Sequence, residues 1–232
     1  VLKAIRRIFS IKPLRNFSVY TFGTLLLGAV NFILLPVYSN YIKPSDYGIL
    51  SLLIIIVNVL VVIIDGGLST AFSIRFYREQ SDDERAKSLY SVLVYNTALI
   101  LLLFIICFMK RDIIASILKA EISFAIQLKT CIIISLTIYA NFFTNLLRLQ
   151  EKAILFFIGS VIKSVVMGLL NIILLVVLRR DYVSYLDSMI IALLAVSIWG
   201  FFYYFKRFPI KTFDIRFKKL RSLLWLGMPL VP

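Results

Sequence analysis

The chain has 232 residues, 61% of them hydrophobic and only 16% charged, with a formal net charge of +14. A soluble domain is nearer half apolar and a quarter charged, so this composition excludes an ordinary soluble protein. The Lys and Arg residues fall between long apolar runs and not on one patch, which removes nucleic acid as a partner. Histidine is absent, so His-based metal sites and the usual general base are absent with it.

A bilayer core needs roughly 20 mostly apolar residues per spanning helix. Six stretches meet that length, at about 17–39, 47–74, 88–109, 124–147, 153–178 and 186–205. They are continuous rather than alternating, which selects helices over barrel strands. The sequence therefore predicts an all-α integral membrane protein of six transmembrane helices. A seventh apolar run begins at Ser222. The first stretch is too long for a signal-peptide core and leads from Pro36 into a polar loop instead of a small-residue cleavage site. Four parts are expected: a basic N-terminus at 1–16, a six-helix lobe at 17–205, a basic linker at 206–221, and the start of a seventh helix at 222–232.

Lys and Arg in the loops set the orientation. With the N-terminus inside, the inside segments hold eighteen of them and the outside loops six. The expected topology is a multi-pass membrane protein with a cytoplasmic N-terminus. The loops are short, so no soluble catalytic domain is inserted. No Walker A loop occurs, and the sequence calls for no cofactor. Cys107 and Cys131 sit in apolar runs and are expected to be packing residues, with no disulfide or metal site. The acidic run Asp82-Asp83-Glu84 is expected to be a solvated turn that caps the third helix.

Ionisable groups inside spans are expensive and stand out. Asp65 is placed roughly 14 Å deep in the second span and Lys163 roughly 15 Å deep in the fifth, from the same side. Two readings fit the two charges: a pair lining a water-filled cavity, or an ion pair that sets helix register. Gly66 and Gly67 follow Asp65 and allow a bend or close packing.

Four spans each carry a polar stripe at helical spacing. The first has Thr24, Gly28 and Asn31; the second Ser51, Asn58 and Asp65. The fourth has Thr137, Asn141, Asn145 and Arg148; the fifth Ser160, Ser164, Gly168 and Asn171. Interhelical hydrogen bonds of about 1 kcal/mol each are one explanation. A hydrated cavity is the favoured one. The sixth span offers only Ser197, Trp199 and Gly200, which places it toward lipid. Arg75 and Arg148 lie at cytoplasmic helix ends, where they either anchor at headgroups or draw in an anionic group through paired donors.

Leu34-Leu-Pro-Val-Tyr-Ser-Asn-Tyr-Ile-Lys-Pro-Ser-Asp-Tyr-Gly-Ile-Leu50 resembles the end of helix one, the outer loop and the entry of helix two in polysaccharide-type flippases. These are the O-antigen and capsule repeat-unit flippases of the multidrug/oligosaccharidyl-lipid/polysaccharide exporter superfamily. Asp65-Gly-Gly-Leu-Ser-Thr-Ala-Phe-Ser-Ile-Arg-Phe-Tyr77 is similar to their helix-two ending. Leu223-Leu-Trp-Leu-Gly-Met-Pro-Leu-Val-Pro232 is similar to the opening of their seventh helix.

The resemblance implies a two-lobed exporter of which this chain is the N-terminal lobe, working with a second lobe. It implies ion-coupled alternating access that carries an undecaprenyl-pyrophosphate-linked oligosaccharide across the cytoplasmic membrane, in contact with membrane lipids. On that reading Arg75, Arg148 and Lys163 meet the pyrophosphate or other anionic groups of the lipid-linked oligosaccharide. Asn31, Asn58, Asn141 and Asn145 meet sugar hydroxyls, and Asp65 couples or gates. The rivals are a cation antiporter of the same superfamily, a membrane-embedded enzyme of the polysaccharide pathway, and a non-transporting scaffold. The missing histidines and long loops count against the enzyme.

Overall fold

The structure is a computed structural model that describes residues 12–79, 81–110, 113–118, 122–179, 181–208 and Trp225. Eight α-helices follow in order. They are α1 (Lys12–Tyr41), α2 (Pro44–Asp65), α3 (Leu68–Arg78), α4 (Asp82–Met109), α5 (Ile113–Leu118), α6 (Phe124–Leu149), α7 (Ala153–Asn171) and α8 (Val183–Arg207). A π-helical stretch, Ile172–Val177, prolongs α7. Six of these units are long and apolar enough to cross a membrane. The protein is therefore a multi-pass membrane protein. The expected linker at 206–221 and the expected seventh helix lie almost wholly outside the described residues.

Local chemistry places the helix ends. Pro44 opens α2, where its missing N–H costs nothing and its fixed φ suits the first turn. Ser81 caps α4 by accepting from the Glu84 N–H at 3.2 Å, and Asp82, Asp83 and Glu84 fill the first turn. That is the expected capping turn, with carboxylates at the positive end of the helix dipole. Ser123 caps α6 in the same way, accepting from Ile126.

The second apolar run, read from the sequence as one span at 47–74, is broken. Gly66 and Gly67 adopt φ of 52° and 73°, a left-handed conformation that glycine alone enters without a Cβ penalty. Asp65 is therefore the last residue of α2 and not an interior one. α3 restarts at Leu68 as a short separate helix.

We call the two ends of the bundle the basic end, where Arg75, Arg78, Arg85, Arg148, Lys152, Lys206 and Arg207 gather, and the opposite end. Two apolar clusters fill the interior. Toward the opposite end lies an aliphatic one that includes Leu34, Leu50, Leu53, Ile133, Ile134 and Leu186. Toward the basic end lies an aromatic one around Phe72, Phe76, Phe142, Phe143, Phe156 and Tyr204. α1 packs mainly on α7, α2 on α6, and α8 on both α6 and α7.

The sixth span, expected toward lipid, has two faces: one exposes Ile191, Ile198 and Phe202, and the other is a packing seam. α8 buries Ser184, Ser188, Ala192, Val196, Ser197 and Gly200 against its neighbours. Small residues on one face let backbones approach closely, which drives helix association where no water is displaced. A Cβ on Gly200 would meet the Phe143 ring at 2.8–2.9 Å, and one on Gly159 would meet Trp199 at 3.0 Å. α1 is the least covered span. A paucity of polar side chains thus marked a helix with one packing seam and one exposed apolar face.

Candidate functional site

A cleft of about 350 Å³ is lined from α2, α3 and α6, in the half of the bundle that holds Arg148. Its polar lining is Asp65, Ser69, Thr70, Asn141, Thr144, Asn145 and Arg148. The break at Gly66 creates it. Where the chain leaves α2, the carboxylate of Asp65 projects over the first turn of α3. There its Oδ1 accepts from the Ser69 hydroxyl at 2.5 Å and its Oδ2 from the Ser69 N–H at 3.3 Å. The carboxylate so serves the free N–H groups of the new helix and meets the positive end of its dipole.

The opposite wall belongs to α6. Asn145 donates to the Ser73 hydroxyl at 3.1 Å and to the Ser69 carbonyl at 3.4 Å, and Ser73 donates to the same carbonyl at 2.7 Å. Asp65, Ser69, Ser73 and Asn145 therefore form one hydrogen-bonded run that ties α3 to α6. Tyr77 extends the tie, donating to the Leu149 carbonyl at 3.1 Å. Asn141 is exposed within the cleft. Arg148 is also exposed, its guanidinium stacked 4.4 Å above the Phe156 ring. That stacking fixes the plane of the guanidinium while leaving its N–H fork open.

The cleft unites Asp65, Asn141, Asn145 and Arg148 from the residues singled out in the sequence. It does not include Arg75, Lys163 or Asn58. Arg75 is held in an ion pair with Glu79, Nε to Oε1 3.1 Å. Glu79 is buried and also accepts from Ser88 at 2.5 Å, so Arg75 closes the α3–α4 corner. Asn58 is exposed on α2, two turns before Asp65 on the same face. The side chain of Asn31 lies outside the described residues.

Among the ion pairs of the described residues, none joins Asp65 to Lys163. Equal depth does not make two groups neighbours: α2 packs on α6, while α7 packs on α1 and α8. The stripe of α7 is likewise not part of the cleft. Ser160, Ser164, Gly168 and Asn171 are buried, and Cβ atoms placed on Gly23 and Gly168 would meet Ser160 and Val30 across the α1–α7 contact. Ser160 and Ser164 turn their hydroxyls back onto carbonyls of their own helix.

Three polar lining residues were not anticipated, Ser69, Thr70 and Thr144. Ser69 lay in plain view four residues after Asp65, the spacing that brings a hydroxyl beneath a carboxylate once a helix restarts. Among the described residues no group of three or more His, Cys, Asp or Glu side chains comes together to hold a metal.

A family model described as "Polysaccharide biosynthesis protein" matches residues 14–231. The chain belongs to that family, in the polysaccharide-flippase group of the multidrug/oligosaccharidyl-lipid/polysaccharide exporter superfamily. Among solved structures it is similar to the crystal structure of a point mutant of MATE, with a TM-score of 0.64 at 17% identity. That likeness covers 98% of this chain and 52% of the other, so the chain spans about half the length of that transporter. No curated protein matches the sequence.

Proposed function

We propose that the chain is part of an exporter that moves a polyprenyl-pyrophosphate-linked oligosaccharide, of the undecaprenyl type, across the bacterial cytoplasmic membrane by ion-coupled alternating access. The cleft between α2, α3 and α6 is the observation that carries this reading. Its lining combines amides and hydroxyls, which pair with sugar hydroxyl groups, with one open guanidinium, which suits a phosphate through paired donors. The basic end faces the cytoplasm, in accord with the positive-inside bias. Arg148 then stands where an anionic headgroup enters, and Asn141 beside it meets the first sugar.

Asp65 is the coupling residue in this scheme. A carboxylate held by Ser69 at a glycine-broken helix end sits at a hinge, where gain of a proton or cation alters its hold on α3. The other cations serve at one remove. Arg75 fixes the α3–α4 corner through Glu79, and Lys163 on α7 meets anionic groups only if they pass deeper into the bundle.

The test is surface polysaccharide in cells whose only copy of the full-length protein is a variant. Arg148→Ala is expected to lower export by about tenfold or more and Asp65→Asn to abolish it, while both proteins still insert at wild-type level. Unchanged surface polymer in both would overturn the reading. Reporter fusions after Arg85 and after Lys119 test the orientation, and an outward reporter after Arg85 would reverse it.

A further inference from the structure

At the end of the bundle opposite the basic one, α4 stops at Met109 and α6 starts at Phe124, and two thiols meet between them. Cys107 Sγ lies 2.8 Å from Cys131 Sγ, and the two residues are only 2% and 1% exposed. Both side chains therefore converge across the helix pair, which is the first geometric condition for a disulfide.

Their register does not depend on the sulfurs. Gln127, one turn before Cys131 on the same face of α6, is itself 1% exposed. Its amide nitrogen donates to the carbonyls of Cys107 at 3.1 Å and Lys110 at 3.0 Å, and its oxygen accepts from the Ile114 N–H at 3.3 Å. One side chain so satisfies carbonyls that the end of α4 leaves open and the first turn of α5. The last turn of α4 is locked against α6 before either thiol is considered, and the thiols are held face to face by it.

We propose that Cys107 and Cys131 are a site of interhelical disulfide formation that fastens α4 to α6. The step is a two-electron dehydrogenation. Both S–H bonds break and one S–S bond forms. The two protons and two electrons pass to a small uncharged hydrogen acceptor of the quinone or azo class, which leaves as the hydroquinone or hydrazine. Burial selects that class, because the active-site disulfide of an oxidoreductase does not reach sulfurs this deeply covered, whereas a small apolar acceptor enters through the hydrocarbon layer. The bond closes a loop over residues 107–131 that contains α5, and loop closure restricts the unfolded ensemble. The orientation proposed above turns this end outward, the side on which disulfides persist. The chemical test does not depend on that orientation or on export.

Native membranes holding the full-length protein are treated with diamide, quenched, denatured and labelled with a maleimide, and the peptides are read by mass spectrometry. Labelling of Cys107 and Cys131 is expected to fall together by at least tenfold. A linked peptide lighter by two hydrogens should appear, and dithiothreitol should restore both labels. In Cys107→Ser, Cys131 is expected to remain labelled after diamide. Two cysteines that still take label after oxidation would overturn the proposal. So would an equal loss at Cys131 in the Cys107→Ser variant, which would mean oxidation without a partner.

Discussion

α6 is one helix with two unlike faces. One carries Leu136, Phe143 and Leu147 into the interior toward α8. There Ser197 donates to the Leu136 carbonyl at 3.4 Å, Tyr204 to that of Phe143 at 3.4 Å, and Gly200 admits the Phe143 ring. The other carries Asn141, Thr144, Asn145 and Arg148 to the cleft. The first face is closed by small partners and leaves no room for a methyl group. The second stays open because its neighbour is a broken helix, whose end at Asp65 and restart at Leu68 withdraw packing from it. A site arises here where a partner helix fails to continue, and polarity alone does not make one.

The largest expected effect breaks the closed face. Gly200→Val places carbon within 3 Å of Phe143, and overpacking of this kind costs about 1–3 kcal/mol, occasionally more. The variant is expected not to accumulate in membranes, measured by immunoblot. Gly28→Ala, which meets nothing within 4 Å, should accumulate normally. Normal levels of both variants would show that the α6–α8 seam is not tight.

The open face should respond in function and not in stability. Arg148→Ala is expected to lower export by about tenfold or more, the scale of one lost charge-assisted contact, with the thermal midpoint in detergent unchanged. A lowered midpoint with intact export would recast Arg148 as an anchor on Phe156.

The two asparagines sharpen the contrast within the cleft. Asn145→Ala removes two bonds to α3 and is expected to cost about 1 kcal/mol, read as a lower midpoint. Asn141→Ala removes no side-chain bond among the described residues and should reduce export alone. Last is Ser69→Ala, which takes one hydroxyl from the Asp65 carboxylate and leaves it the Ser69 N–H. Its readout is export at equal protein level, and unchanged export would detach the Ser69–Asp65 contact from coupling.

Much of this was visible in the chain. Six apolar runs of the right length became six spans. Of the stripe Thr137, Asn141, Asn145 and Arg148, the last three became a wall of the cleft while Thr137 is buried outside it, and Gly66-Gly67 marked the place where α2 breaks. The stripe Ser160, Ser164, Gly168 and Asn171 has the same spacing, yet it went into the seam with α1. Periodicity specifies that residues share a face, and nothing in it says what that face meets. The same gap misled the pairing of Asp65 with Lys163. Depth along a helix follows from counting residues, while azimuth and neighbour follow from packing.

The amino-acid sequence by itself determined the class of protein, the number of spans, the capping turn at the start of α4 and the place where the second span can bend. These depend on local chemistry: apolar length against a bilayer, serine caps, and glycines that accept positive φ. Only the tertiary structure decided which polar residues share a cleft, that Arg75 belongs to Glu79, that one face of α8 is a packing seam and that Cys107 faces Cys131. Those outcomes depend on which helices touch, and small side chains such as Gly200, together with the break at Gly66, set that arrangement through contacts distant in the chain.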